Sequence, residues 1–337
     1  MNLIEKQKGV QFLGNFNGNA VLRFPNCLIV GKTEINIVKN DDFAVHDNTV
    51  LFGKKNGEEV VYVDNKFVPW PPCRYSERVM LSLKNSQCYI DGFSKLSLFV
   101  NNEELLFNIK SDAQLRFFKY VECYGQEVVV FMSNMFKKLF FYTKEGEKLW
   151  EFHVVDLDVK IDMKSLLVVG NVMIICCNRG LRKHSVEGFN IHTGEKLWGY
   201  YGEDIRCGRN YMAADDGMVY GIYMRESEKD REKVLLCVEK IDPISGASNI
   251  YIVKEDTRDL EVYQWLATIS DMKLYYSDDR PGCSIGVVDL KTMSLIDDCH
   301  LQLKKAGSYG LEKPIVIGDK LYAYSRETEE LFVFFRN

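Results

Sequence analysis

Few stretches of the chain pair residue types and spacings that could do chemistry. Cys176 and Cys177 are adjacent thiols, the kind of pair that could bind a metal or cycle between redox states. On a strand their side chains point to opposite faces, which argues against a joint metal site. Gly31-Lys-Thr33 resembles the end of a phosphate-binding loop, but Asn26 stands where that loop needs its first glycine. The following Glu34-Ile-Asn-Ile-Val38 alternates like a strand, not a helix, so a β-turn is expected. Asp156-Leu-Asp-Val-Lys-Ile-Asp162 has calcium-loop spacing, yet Ile161 replaces the required glycine and Leu167 the closing glutamate. A solvated strand edge is expected there. His46, His153, His184, His192 and His300 are scattered, and none falls in a zinc-protease, nucleophile-elbow or dinucleotide pattern.

Composition bounds the rest. The 337 residues are 46% hydrophobic and 27% charged, as in a folded globular protein, with a net charge of −5. The acidic balance argues against nucleic acid, whose phosphates need surplus Lys and Arg. No stretch is apolar for long enough to be a membrane span or a signal peptide. The ten cysteines form no C-x-x-C pair and lie in or beside apolar runs. They read as reduced, packed thiols of a cytoplasmic protein.

The elements that must position these residues are nearly all strands. β-branched and aromatic runs such as Glu127–Phe131, Val172–Ile175, Met218–Tyr223 and Leu331–Phe335 are separated by Gly, Asn and Asp turns. No window carries a convincing helical stripe. Internal repeats follow. Phe140–Trp150 and Gly188–Trp198 both contain Gly-Glu-Lys-Leu-Trp, about 48 residues apart. Lys240–Ile250 and Val287–Ile296 continue the series. Weaker echoes fall at Asn56–Val61, Asn101–Leu106 and Glu327–Phe332. Each reads as strand, tight turn, strand, with Gly or Asn at positive φ and an Asp that can bind turn amides.

This rhythm resembles the quinoprotein-like β-propeller repeat, Ala-x-Asp-x-x-Thr-Gly-x-x-x-Trp. Thr193, Gly194 and Trp198 match it, with Asn190 in place of the Asp and Gly188 in place of the Ala. Gly146 and Trp150 match in one further repeat, Asp242 and Asp289 in two others. The resemblance implies an all-β fold, a single β-propeller domain over 1–337. The spacing favours seven four-stranded blades, with six or eight compatible. Three strands after Pro314 need a fourth, and a strand near Val10–Leu13 is expected to supply it and close the ring. Quinoprotein enzymes hold their cofactor between a Trp and adjacent cysteines beside calcium. Cys176-Cys177 has no accompanying ligand set, so no cofactor and no metal are expected.

In the family, links between blades share one rim with the loops from second to third strands. That rim should collect Trp70, Arg74, Arg179, Arg182, Lys183, Asp204, Arg206, Arg209, Asp256, Arg258, Asp278, Asp279 and Arg280. Arg and Trp dominate protein-binding hot spots. The run Arg225–Lys233 reads as a solvated hairpin tip. The expectation is a monomeric, non-catalytic scaffold or inhibitor that binds another protein through this rim, with no nucleic acid or membrane partner. The blades also resemble those of the bacterial outer-membrane assembly lipoprotein, without its leader. A toxin-neutralising immunity protein would suit the chain's character. The alternative is a hydrolase or lyase acting on a sugar or small ester in the central channel; a small-molecule sensor is a third reading.

Overall fold

The computed structural model describes residues 1–46, 48, 50–69, 80–83, 86–91, 95–100, 103–108, 115–123, 126–133, 138–143, 147–153, 160–178, 184–202, 211–227, 230, 233–255, 257, 262, 266–278, 284–301 and 310–336, with only the backbone described for the strands between 80 and 127. These residues form antiparallel sheets of four strands each, eight in all. Blade 1 holds Gln11–Phe16, Asn19–Arg23, Cys27–Val30 and Thr33–Asn36; blade 2 holds Asp42–His46, Val50–Lys55, Glu58–Val63 and Lys66–Pro69. Blade 3 holds Met80–Leu83, Ser86–Asp91, Lys95–Val100 and Glu103–Asn108; blade 4 holds Leu115–Cys123, Gln126–Ser133, Lys138–Thr143 and Lys148–His153. Blade 5 holds Lys160–Val169, Val172–Asn178, His184–Asn190 and Lys196–Gly202; blade 6 holds Met212–Ala213, Val219–Glu226, Val234–Ile241 and Ser248–Lys254. Blade 7 holds Ala267–Ser270, Lys273–Ser277, Ser284–Asp289 and Ser294–His300. Blade 8 takes Ile315–Ile317, Lys320–Ser325 and Glu330–Phe335 from the end of the chain and Asn2–Lys8 from its start.

The first strand of each blade lies beside the first strand of the next, and blade 8 returns to blade 1. The sheets therefore radiate from a ring of first strands around an axis. The closing strand is Asn2–Lys8, paired with Glu330–Phe335. The strand near Val10–Leu13, expected to close the ring, instead opens blade 1. The expected closure by both chain ends holds, shifted by one strand.

Eight sheets stand against the seven that the repeat spacing favours. The first two blades are short, spanning residues 11–36 and 42–69, because two-residue turns join several of their strands. Gly31-Lys32 is one, with Gly31 at φ 61 and Val30 opposite Thr33. It is a hairpin turn and not a phosphate loop, as its sequence suggests. Asp64 and Asn65 are another, both at positive φ, as a type I′ turn requires. Two of the weak echoes, Asn56–Val61 and Glu327–Phe332, join second to third strands, whereas the strong repeats join third to fourth. They are out of phase with the series, so counting them hides a blade.

The repeat turns share one mechanism. Asn190 Oδ1 accepts the amides of His192 and Thr193 at 2.9 and 3.2 Å. Asp242 does the same for Ile244 and Ser245, and Asp289 for Lys291 and Thr292. A short polar side chain thus closes an Asx turn, whether Asn or Asp supplies it. The positive-φ position falls on Gly194 and Gly246, and on Met293 in blade 7. After the turn, a bulge at Leu149, Leu197 and Ile296 turns those side chains outward.

Middle strands are apolar on both faces because each sheet is covered by two neighbours. Tyr220, Tyr223, Tyr275, Tyr276, Phe332 and Phe334 are fully buried, each contributing on the order of 2–3 kcal/mol. Cys177 packs between blades 4 and 5 and Cys176 between blades 5 and 6, on opposite faces of one strand.

Candidate functional site

Antiparallel order fixes two rims. First-to-second and third-to-fourth turns emerge at one end of every blade, the hairpin rim. Second-to-third loops and interblade links emerge at the other, the loop rim. Of the sequence-selected rim, Trp70, Arg74, Arg179, Arg182, Lys183, Asp204, Arg206, Arg209, Asp256, Arg258, Asp279 and Arg280 lie outside the described residues. Asp278 is described, and it is buried. Its amide donates to the Ser284 carbonyl at 2.9 Å, and its carbonyl accepts the Leu311 amide at 3.3 Å. It ties a loop-rim segment to the link into blade 8 and does not stand out as a surface contact. Of the charged run expected as a tip at 225–233, Glu228, Lys229, Arg231 and Glu232 lie outside the described residues; the strands that flank it pair, and Ser227 N donates to Lys233 O at 2.9 Å.

The described loop rim adds residues that sequence reasoning missed. Glu312 sits in the link between blades 7 and 8. Its amide donates to the Tyr324 carbonyl at 2.8 Å, and its carbonyl accepts the Ser277 hydroxyl at 2.9 Å. Its half-buried carboxylate pairs with Arg326 at 2.7 Å. Burial pushes the Glu312 carboxyl up, and Arg326 draws it back. Arg326 itself is 81% exposed. Beside them Lys313 reaches solvent, yet crowding by protein holds its ammonium below the ordinary lysine range. Around the rim, Glu330 is buried at the closing strand and pairs with Lys6 at 3.1 Å and Lys8 at 3.7 Å. Burial opposes its charge, but the two ammoniums hold its pKa below the usual value. Arg23 bonds Gln11 at 3.1 Å, and buried Asp41 accepts the amides of Val38 and Asn56.

Ser284 Oγ lies 2.7 Å from His300 Nδ1, a cross-strand pair in blade 7. Ser284 is buried, so its hydroxyl is closed to a substrate. Among the described residues no three His, Cys, Asp or Glu side chains converge as a metal set.

The hairpin rim carries a cleft of about 420 Å³ between blades 6 and 7, lined by Asp215, Asp216, Lys240, Met272, Leu290 and Lys291. Tyr220 OH donates to Asp216 at 2.7 Å, and Lys240 meets the same carboxylate at 3.4 Å. Burial and the Asp216 hydrogen bond push the Tyr220 pKa up to about 12. Burial resists ionisation of Asp216, but bonds from Tyr220, the Met218 amide and Lys240 hold it below the usual carboxylate range. A smaller cleft of about 140 Å³ follows between blades 7 and 8, lined by Met1, Lys273, Tyr275, Val287, Ile296, Asp297 and Arg336.

No protein-family model matches the chain, and no curated protein matches its sequence. Solved structures do match in shape. The computationally designed Ika8 protein is similar at 11% identity and a TM-score of 0.65, covering 99% of this chain and 98% of that one. BamB from Moraxella catarrhalis is similar at 13% identity and a TM-score of 0.52, covering 99% and 97%. The Dos1 propeller is similar at 10% identity and a TM-score of 0.57, covering 99% and 94%. At such identities the likeness shows the fold alone. The chain is a β-propeller, as BamB and Dos1 are.

Proposed function

We propose that the chain is a non-catalytic protein-binding propeller, a scaffold or inhibitor that engages another protein through its loop rim. Arg326 carries this reading. It is 81% exposed, yet its guanidinium is fixed by Glu312, whose own backbone is bonded into blades 7 and 8. A preorganised, exposed arginine loses little side-chain entropy on binding, and arginine is enriched among interface hot spots. With Lys313 beside it, the patch favours a partner surface that presents carboxylates. The loop-rim arginines selected from sequence would extend the same surface. The repeat is taken to be of the quinoprotein-like kind, on the support of Trp150 and Trp198 docking alike on successive hairpins.

The test is quantitative affinity capture from the native cell with the wild-type chain and Arg326→Glu, each checked for equal folding by circular dichroism. A protein enriched by wild type and reduced at least tenfold by the variant supports the reading. Identical enrichment by both overturns it.

A further inference from the structure

The fourth strand of each blade is a free sheet edge, and charge guards several of them. Lys148 and Glu151 stand on the edge of blade 4, Asp297 and Asp298 on that of blade 7, and Glu5 and Lys6 on that of blade 8. Such charges deter a second strand from pairing there. Blade 6 has no such guard. Its edge runs from Ser248 to Val253 without a charge, a proline or a glycine. The edge of blade 5 is also poor in charge, but Gly199 and the bulge opposite Gly188 and Phe189 interrupt it. On blade 6, Ile250 and Ile252 share one face and are 45% and 47% exposed.

Register fixes which backbone groups point outward. Asp242 N donates to the Ala247 carbonyl at 2.9 Å. Bonded pairs alternate from there, so Asn249 bonds Lys240 and Tyr251 bonds Val238. The amides and carbonyls of Ser248, Ile250 and Ile252 therefore face away from the blade. Among the described residues no strand stands beyond this one.

We propose that this edge pairs, antiparallel, with the same edge of a second copy of the chain, joining two propellers about a two-fold axis. The strand is complementary to itself. Centred on Tyr251, the pairing sets Ile250 against Ile252 of the second copy, and Ile252 against its Ile250, with the outward backbone groups of both bonded. The four isoleucines then form one apolar stripe across the joined sheet. Lys254 falls opposite Ser248, and its ammonium is already held by Asp298 of blade 7. The same operation on blade 7 would set Asp297 against itself, and on blade 8 Glu5 against itself, where like charges repel. A strand pair of this length buries less than the roughly 1,200 Å² of a stable interface, so the dimer is weak and depends on concentration. It takes the place of the monomer expected from the sequence. The edge lies on the outer wall of the ring and is independent of the loop-rim reading. Arg326→Glu leaves it intact, so the two fail separately.

The test is sedimentation of the full chain at rising concentration, up to submillimolar. Wild type should pass reversibly from monomer to dimer. Ile252→Lys should weaken that association at least tenfold, while Leu149→Lys on the exposed edge of blade 4 should not change it. Register is read separately with Tyr251→Cys. Unbonded cross-strand pairs bring Cα atoms to about 4.5 Å, a separation a disulfide can span, so this variant should form a disulfide-linked dimer on mild oxidation where wild type does not. A wild type that stays monomeric throughout overturns the proposal, and that result would also be found if the edge served a different protein's strand. A dimer that a folded Ile252→Lys retains overturns it too. So does a Tyr251→Cys chain that forms no such disulfide, which decides the matter even if the lysine variant does not fold.

Discussion

Trp198 in the outer strand of blade 5 donates its indole N–H to the Pro243 carbonyl of blade 6, a bond of 2.8 Å that crosses from one repeat to the next. The ring also covers Gly188 of its own hairpin, where an added Cβ would fall 2.3 Å from Cε2. One side chain thus fastens two blades. Trp198→Ala should cost about 2–4 kcal/mol in denaturant unfolding, from lost burial and an unfilled space. Gly246→Ala places a methyl at φ 73 and against the same ring, and should cost more than about 1 kcal/mol. A wild-type midpoint in either variant would contradict this role.

Tyr276 and Gly286 form a second such pair, inside blade 7. The tyrosine is fully buried and crosses the glycine opposite it, with ring atoms 2.1–2.3 Å from where a Cβ would stand. Overpacking a closed interior costs about 1–3 kcal/mol. Gly286→Ala is expected to lower the thermal midpoint, and Tyr276→Phe to be close to neutral because the buried hydroxyl meets no hydrogen-bond partner among the described residues. Calorimetry of the two variants checks both.

The pH dependence follows from Tyr220. Its folded pKa of about 12 lies above the unfolded value near 10, so the native state keeps its proton longer. That contribution is complete below pH 10 and disappears as pH rises from 10 to 12. Tyr220→Phe removes it. The stability difference between wild type and variant should therefore shrink across that interval, measured by urea unfolding at several pH values. A constant difference would contradict the Asp216–Tyr220 coupling.

Closure of the ring makes a separate prediction. Deleting residues 2–8 uncovers the edge of Glu330–Phe335 and leaves buried Glu330 without Lys6 and Lys8. An apolar, unpaired edge invites association. The truncated chain should melt lower and aggregate in light scattering. Unchanged behaviour would show that the ring does not depend on this strand.

Much of this architecture was legible in the residues. The alternation and the Gly-Glu-Lys-Leu-Trp repeats marked blades 4 and 5, and Asp242 and Asp289 marked the next two. The blade number was harder, because Asn56-Gly57 and the turn at Arg326–Glu329 look like the repeat hairpins. Tight turns use the same residues wherever they occur, so turn chemistry does not report which pair of strands it joins. The same ambiguity hid Arg326. Read as part of a repeat hairpin, it belonged to the opposite rim, and only the pairing of Lys320–Ser325 with Glu330–Phe335 as middle strands moves it to the loop rim. The Glu312–Arg326 pair joins two segments with no shared motif, so no repeat pointed to it.

The most direct measurement is the comparison of Arg326→Glu with wild type in quantitative capture, with Lys148→Glu on the outer strand of blade 4 as a charge-matched control. An exposed ion pair contributes less than about 1 kcal/mol, so neither variant should unfold. A partner retained by wild type and the control but lost by Arg326→Glu is the predicted result. Equal recovery by all three proteins would contradict a protein-binding loop rim centred on Arg326.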